Sequence, residues 1–193
     1  MLKKIAVAGL LCAASSAALA AKIGFNVSHA SNTAEEKGSG TNALDYKATE
    51  YGFSMVTNYD QRTFHYRLSV DFMDGEIEGG GSLDGFTVSN VFAFSATPPK
   101  LAKGAKQGPR LWFGPGVYAG NLEGTDTNTD LAYIGFGLAA GIDFPTEGGA
   151  FAIEGAYRKL DAAIDFNNNS SFSYGDDYDI DGFQLRARFL FGK

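Results

Sequence analysis

Three stretches hold residue types that could do chemistry. HASN, residues 29–32, sets His29 two positions before Ser31, a base and a hydroxyl of the kind that nucleophilic hydrolysis uses. A serine hydrolase also needs a third group to orient the base, and the sequence places none. The plainer reading is a His and a Ser where a strand gives way to a loop, so no catalytic residue is assigned. DYDIDG, residues 177–182, fits the first half of a calcium loop. The twelfth position of that loop, where a bidentate Glu is required, is Arg188. Asp177, Asp179 and Asp181 are therefore at most a loose calcium site, against the simpler reading of a solvated acidic loop. EGGGSLDG, residues 78–85, lacks the lysine and following helix of a phosphate cradle and reads as a flexible loop. No cofactor is expected.

A further stretch, TFHYRLSVDF at residues 63–72, carries charge in a strand pattern. Phe64, Tyr66, Leu68, Val70 and Phe72 alternate with His65, Arg67, Ser69 and Asp71. Successive strand side chains point to opposite faces, so this is one apolar face backed by one charged face. A soluble sheet would turn the aromatics inward; a membrane barrel would turn them to lipid and keep Arg67 and Asp71 in its lumen.

The elements around this strand decide between the two. Eight period-two segments run at about 22–29, 49–59, 63–73, 86–96, 110–120, 131–144, 150–160 and 182–192, with no convincing helix. Each is close to the roughly nine to eleven residues that a tilted strand needs to cross a bilayer. In LWFGPGVYAG, Trp112 and Tyr118 share a phase with Gly114, Gly116 and Gly120, which leaves the facing ambiguous, and Pro115 should mark a bulge.

Connections after the first, third, fifth and seventh segments are long and rich in Gly, Asn, Ser and Asp; those between are mostly shorter. Charge follows the same parity. The long connections hold Glu35, Glu36, Asp45, Asp74, Glu76, Glu78, Asp84, Glu123, Asp126, Asp130, Asp161, Asp165, Asp176 and the DYDIDG acids against Lys37. The others hold Lys100, Lys103 and Lys106, with Arg62 beside Asp60. Long acidic surface loops opposite periplasmic turns are the expected reading.

Residues 1–20, MLKKIAVAGLLCAASSAALA, have a basic start, a short apolar run and Ala18-Leu19-Ala20 before Ala21. They read as a cleaved secretory signal peptide rather than a membrane span. Leu11 before Cys12 argues against a lipoprotein. The expected domain is then 21–193, with no cysteine and hence no disulfide or thiolate chemistry. Losing Lys3 and Lys4 takes the formal charge from −6 to −8, which argues against nucleic acid as a partner. No later stretch is apolar for the roughly 18 residues of a spanning helix, so a membrane form must be a closed barrel.

With a signal peptide, eight alternating segments, unequal connections and an aromatic-rich final strand GFQLRARFLF, the chain resembles the small eight-stranded bacterial outer-membrane barrels of the OmpA/OmpX kind. The resemblance implies an all-β, eight-stranded antiparallel up-and-down transmembrane barrel in the outer membrane of a Gram-negative cell, monomeric and without an active site. Its implied partners are outer-membrane lipid, lipopolysaccharide at the rim near Tyr157 and Lys159, and divalent cations at acidic loops. HASN is also similar over four residues to the His-x-Ser-Asn of outer-membrane lipid A deacylases, a lesser alternative, because here it closes the first segment.

A barrel of this size is filled by its own side chains. Arg67, Asp71, Glu154, Arg158, Arg186 and Arg188 all fall on the lumen phase, and buried charges need partners. Glu154 lies at nearly the height of Arg186 and Arg188, so a pair between the last two strands is expected. The lumen is read as a structural charge network, with a narrow channel for small or apolar solutes as the alternative. His65 belongs to the lumen or its rim.

Overall fold

The computed structural model describes residues 21–37, 43–57, 59, 63–96, 108–124, 129–164 and 177–192. The strands are β1 (Ala21–Glu36), β2 (Ala43–Thr57), β3 (Phe64–Ile77), β4 (Ser82–Ser95), β5 (Arg110–Gly124), β6 (Thr129–Thr146), β7 (Gly149–Ile164) and β8 (Asp177–Phe191). Each pairs antiparallel with its sequence neighbours, and β1 pairs with β8 from Ile23↔Phe191 to Glu36↔Tyr178, closing the sheet. The fold is an all-β, eight-stranded up-and-down barrel, so no strand edge is left open. The expected signal peptide, the Asp60–Arg62 turn, Lys100, Lys103, Lys106, Asp126, Asp165 and Asp176 lie outside the described residues.

The strands are longer than the apolar alternation suggested, and nearly all the added length is at one end. Residues expected in the long loops after β1, β3 and β5 are largely strand, as are 161–164 and 177–181 on either side of the β7–β8 connection; the β3–β4 connection is only 78–81. DYDIDG is likewise the start of β8 rather than a loop. The longest connection, 96–109, instead joins β4 to β5 on the opposite side. Loop length therefore does not distinguish the two ends of the barrel. What does distinguish them is an inversion of facing within each strand.

In the lower part of β3, Phe64 to Phe72 point outward while His65, Arg67, Ser69 and Asp71 are buried inside. One step higher, Asp74 and Glu76 point outward and Met73 is buried. On β1, Ile23, Phe25 and Val27 give way on the outer face to His29, Ser31, Thr33 and Glu35, while Asn26 and Ser28 give way inside to Ala30 and Ala34, with the buried Asn32 between them. The backbone alternation never slips; only the polarity of the two faces is exchanged. The lower barrel has an apolar girdle around a polar lumen. The upper barrel, a stem, has a polar wall around an apolar core of residues including Tyr46, Met73, Leu83, Leu122, Leu160 and Ile180. The girdle is fully apolar at its most exposed points: Phe136, Leu138 and Phe183 are 69%, 69% and 68% exposed.

β5 resolves the ambiguous segment. Trp112 and Tyr118 point inward, and their rings lie over the small residues of the next strand. A methyl group at Gly141 would come within 2.5 Å of the Trp112 ring, and one at Gly137 within 2.9 Å of Tyr118. Pro115 forms no bulge: the register of β4 against β5 is the same on either side of it, Val91↔Gly116 and Phe94↔Phe113. The ladder merely skips the intervening positions, because proline has no N–H to donate.

Candidate functional site

The lumen charges occupy three levels. Lowest, Arg67 of β3 reaches across to Asp143 of β6, donating two hydrogen bonds of 3.1 Å. Arg110 donates to the same carboxylate at 3.0 Å and Trp112 Nε1 at 3.1 Å. The Arg67 guanidinium also lies 4.1 Å from the Trp112 ring centre, and His65 Nε2 is 3.2 Å from it. In the middle, Glu154 accepts from Arg186 at 2.9 Å and from Arg188 at 2.9 and 2.8 Å, with Arg67 at 3.5 Å. Asp71 accepts from Arg186 at 2.6 Å, from Ser69 at 2.9 Å and from Asn26. Highest, Glu50 accepts from Arg158 at 3.2 Å, from Ser28 at 3.1 Å and from Gln184.

All six charges read from the sequence are brought into this one lumen, Arg158 at its top and Arg67 at its base. Sequence reasoning missed Glu50, Asp143 and Arg110. The signal for the first two was present: each sits on the glycine- and serine-bearing phase of its strand, beside Tyr51 and between Ile142 and Phe144 respectively. Four deeply buried arginines (67, 158, 186 and 188) thus face four deeply buried carboxylates (50, 71, 143 and 154). Such a set is tolerable only because each charge has a hydrogen-bonded counter-charge. Above it, the aromatic rings and aliphatic side chains of the stem fill the barrel. Chemically, the arrangement can brace the walls against each other.

On the outer wall, His29 and Ser31 are exposed and stand opposite Thr49 and Lys47 of β2 and Leu185 and Phe183 of β8. Among the described residues, neither has a hydrogen-bond partner, and no carboxylate orients His29. Asp179 and Asp181 are engaged with lysines: Lys37 lies 2.6 Å from Asp161 and 3.3 Å from Asp179, and Lys159 lies 3.5 Å from Asp181. The Asp161 hydrogen bond holds the Lys37 ammonium above the usual lysine range. The Asp177 side chain lies outside the described residues, and among those described no cluster of His, Cys, Asp or Glu could hold a metal ion. Tyr157 packs on Phe183, with ring centres 5.0 Å apart, one step below Lys159 on the same outer face.

No family model and no curated protein matches the chain. Among solved structures, it is similar to Neisserial surface protein A, with a TM-score of 0.49 at 8% identity over 86% of this chain and 95% of that one. It is also similar to Ail, the attachment invasion locus protein of Yersinia pestis, with a TM-score of 0.45 at 13% identity over 90% and 100%. A third is a de novo designed transmembrane β-barrel, with a TM-score of 0.32 at 14% identity over 84% and 94%. The strand number, order and outward girdle of this chain agree with its resemblance to small eight-stranded barrels of the OmpA/OmpX kind.

Proposed function

We propose that the protein is a non-enzymatic outer-membrane barrel whose girdle sits in lipid and whose stem projects an acidic wall from the cell surface. The observation that carries this reading is the inversion of facing. An outward band of Phe, Tyr, Leu, Ile and Val is costly in water and favourable in lipid. The polar wall above it, over an apolar core, is what an aqueous phase favours. The level between Val27 and His29, or Phe72 and Asp74, then marks the membrane surface. A closed barrel satisfies its own backbone at that depth, as the hydrocarbon core demands. The role is membrane-structural or one of surface interaction through the stem and its connections, with lipopolysaccharide meeting Tyr157 and Lys159 at the rim and divalent cations meeting the acidic wall.

Fractionation tests the reading: the folded chain should require detergent for extraction and migrate differently on gels with and without heating. Protease added to intact cells should cut in the β7–β8 connection, 165–176, and spare Lys103; selective cutting at Lys103 would reverse the orientation. Planar bilayers should show no discrete conductance steps. Lipid A should be unchanged on expression, with Ser31→Ala indistinguishable from the parent.

A further inference from the structure

The girdle has one polar interruption at its centre. On β4 the outward residues run Phe86, Val88, Asn90, Phe92 and Phe94, so Asn90 stands midway between the two edges of the apolar band. Its register partners are Leu68 on β3 and Val117 on β5. Its amide Oδ1 is buried without a hydrogen-bond partner, and among the described residues the side chain makes no other polar contact. On its β5 side the surrounding wall is low, with Val117, Ala119 and Pro115 where other parts of the girdle carry Phe and Leu; on the other side stand Leu68 of β3 and Phe92, the latter packed on Tyr66. A hydrogen-bonding group beside a low wall suits association inside a membrane, where polar pairing and close packing, rather than apolar burial, favour contact.

We infer that this β3–β5 face is a self-association surface, and that its occupant is a second copy of the same chain paired through Asn90. Every copy inserts in the same direction, so a two-fold axis between two of them must run along the membrane normal. Each residue then meets partner residues at its own depth. A lone amide at mid-depth finds a polar partner in the other Asn90, and a carboxamide, being both donor and acceptor, can pair with itself. A half-turn about χ2 exchanges the positions of the amide oxygen and nitrogen, so each copy can present either group to the other. No charged side chain at that level opposes the approach: the nearest outward acids, Asp74 and Asp84, stand above the apolar band. A pair of copies would stand in place of the monomer that the family resemblance implies.

It rests on the girdle lying in lipid, and the test separates the two claims. The full chain carrying Cys12→Ala is refolded into phosphatidylcholine vesicles; insertion is scored by flotation and heat-modifiable migration, association by energy transfer between labelled copies. Failure to float would overturn the membrane reading; a floating, folded barrel that stays monomeric as the lipid-to-protein ratio falls would overturn only this inference. The expected result is association weakened about tenfold by Asn90→Leu with folding intact. In the Cys12→Ala background, Asn90→Cys should cross-link under oxidation far faster than Ala187→Cys, in the middle of the outward run of β8 on the opposite side of the barrel. Equal cross-linking at the two positions, or unchanged association in Asn90→Leu, would remove the interface.

Discussion

Arg67 and Asp143 join strands that are not neighbours: a guanidinium from β3 spans the lumen to a carboxylate on β6 through two hydrogen bonds of 3.1 Å. The pair is a strut between far walls, and Arg110 and Trp112 brace its acidic end. Asp143→Ala would leave two buried guanidinium groups short of their counter-charge. Breaking a buried pair from one side costs about 3–5 kcal/mol, and urea titration of the barrel in vesicles should show a loss of that order. Asp143→Asn keeps an acceptor without the charge and should lose less.

Glu154 serves two arginines, and they depend on it unequally. Arg186 also reaches Asp71 at 2.6 Å, whereas among the described residues Arg188 otherwise has only the Leu68 carbonyl at 3.3 Å. Glu154→Ala therefore strands Arg188 more than Arg186. The double variant Glu154→Ala with Arg188→Ala should recover stability relative to Glu154→Ala alone, by roughly 1–2 kcal/mol, within the range found for coupled neighbours. The double variant with Arg186→Ala should recover less, since it strands Asp71. Equal recovery in the two would show that Asp71 does not hold Arg186 independently.

The girdle strands were legible in the sequence because lipid outside and charge inside reinforce the same period of two. The stem was not legible, because the period continues while its meaning reverses. At Met73-Asp74 in β3, an apolar residue enters the phase just occupied by Asp71, and an acid enters the phase of Phe72. Read by polarity, that is the end of a strand; read by backbone pairing, Asp74↔Asp84 and Glu76↔Ser82 continue the ladder. The same reversal concealed DYDIDG, where Ile180 is the buried residue and Asp179 and Asp181 stand on the wall. Pro115 misled for a different reason: on this outer wall, one missing N–H costs a rung of the ladder without bending it.

Leu68 tests which face meets lipid. It stands outward at mid-girdle on β3, beside Asn90. Leu68→Arg should cost about 2–4 kcal/mol when the barrel is in a bilayer. Asp74→Arg, six residues higher on the same outward phase, should cost little, because it lies in the polar wall. Equal penalties at the two sites in vesicle unfolding curves would show that the boundary is not where facing inverts.

The acidic wall carries a repulsion that salt should relieve. Asp74 stands opposite Asp84 across β3 and β4, and Asp84 stands opposite Glu123 across β4 and β5, so three carboxylates form a row on adjacent strands. Like charges directly opposite in a sheet destabilise it, each pair by about 0.2–1 kcal/mol. The screening length shrinks from about 30 Å at 0.01 M salt to about 10 Å at 0.1 M, so the penalty should fall over that interval. Asp84→Asn removes the central member of the row and should stabilise the barrel at low salt by about 0.5–1.5 kcal/mol, flattening the salt dependence. Asp161→Asn gives the contrasting case: its carboxylate is paired with Lys37, so its removal should bring no gain. Magnesium should stabilise the parent more than sodium at matched ionic strength, and Asp84→Asn should reduce that difference, if divalent cations settle on this wall. Unfolding curves of the three proteins in uncharged vesicles measure all of this; an Asp84→Asn curve that tracks the parent at every salt concentration would show that the row is not felt.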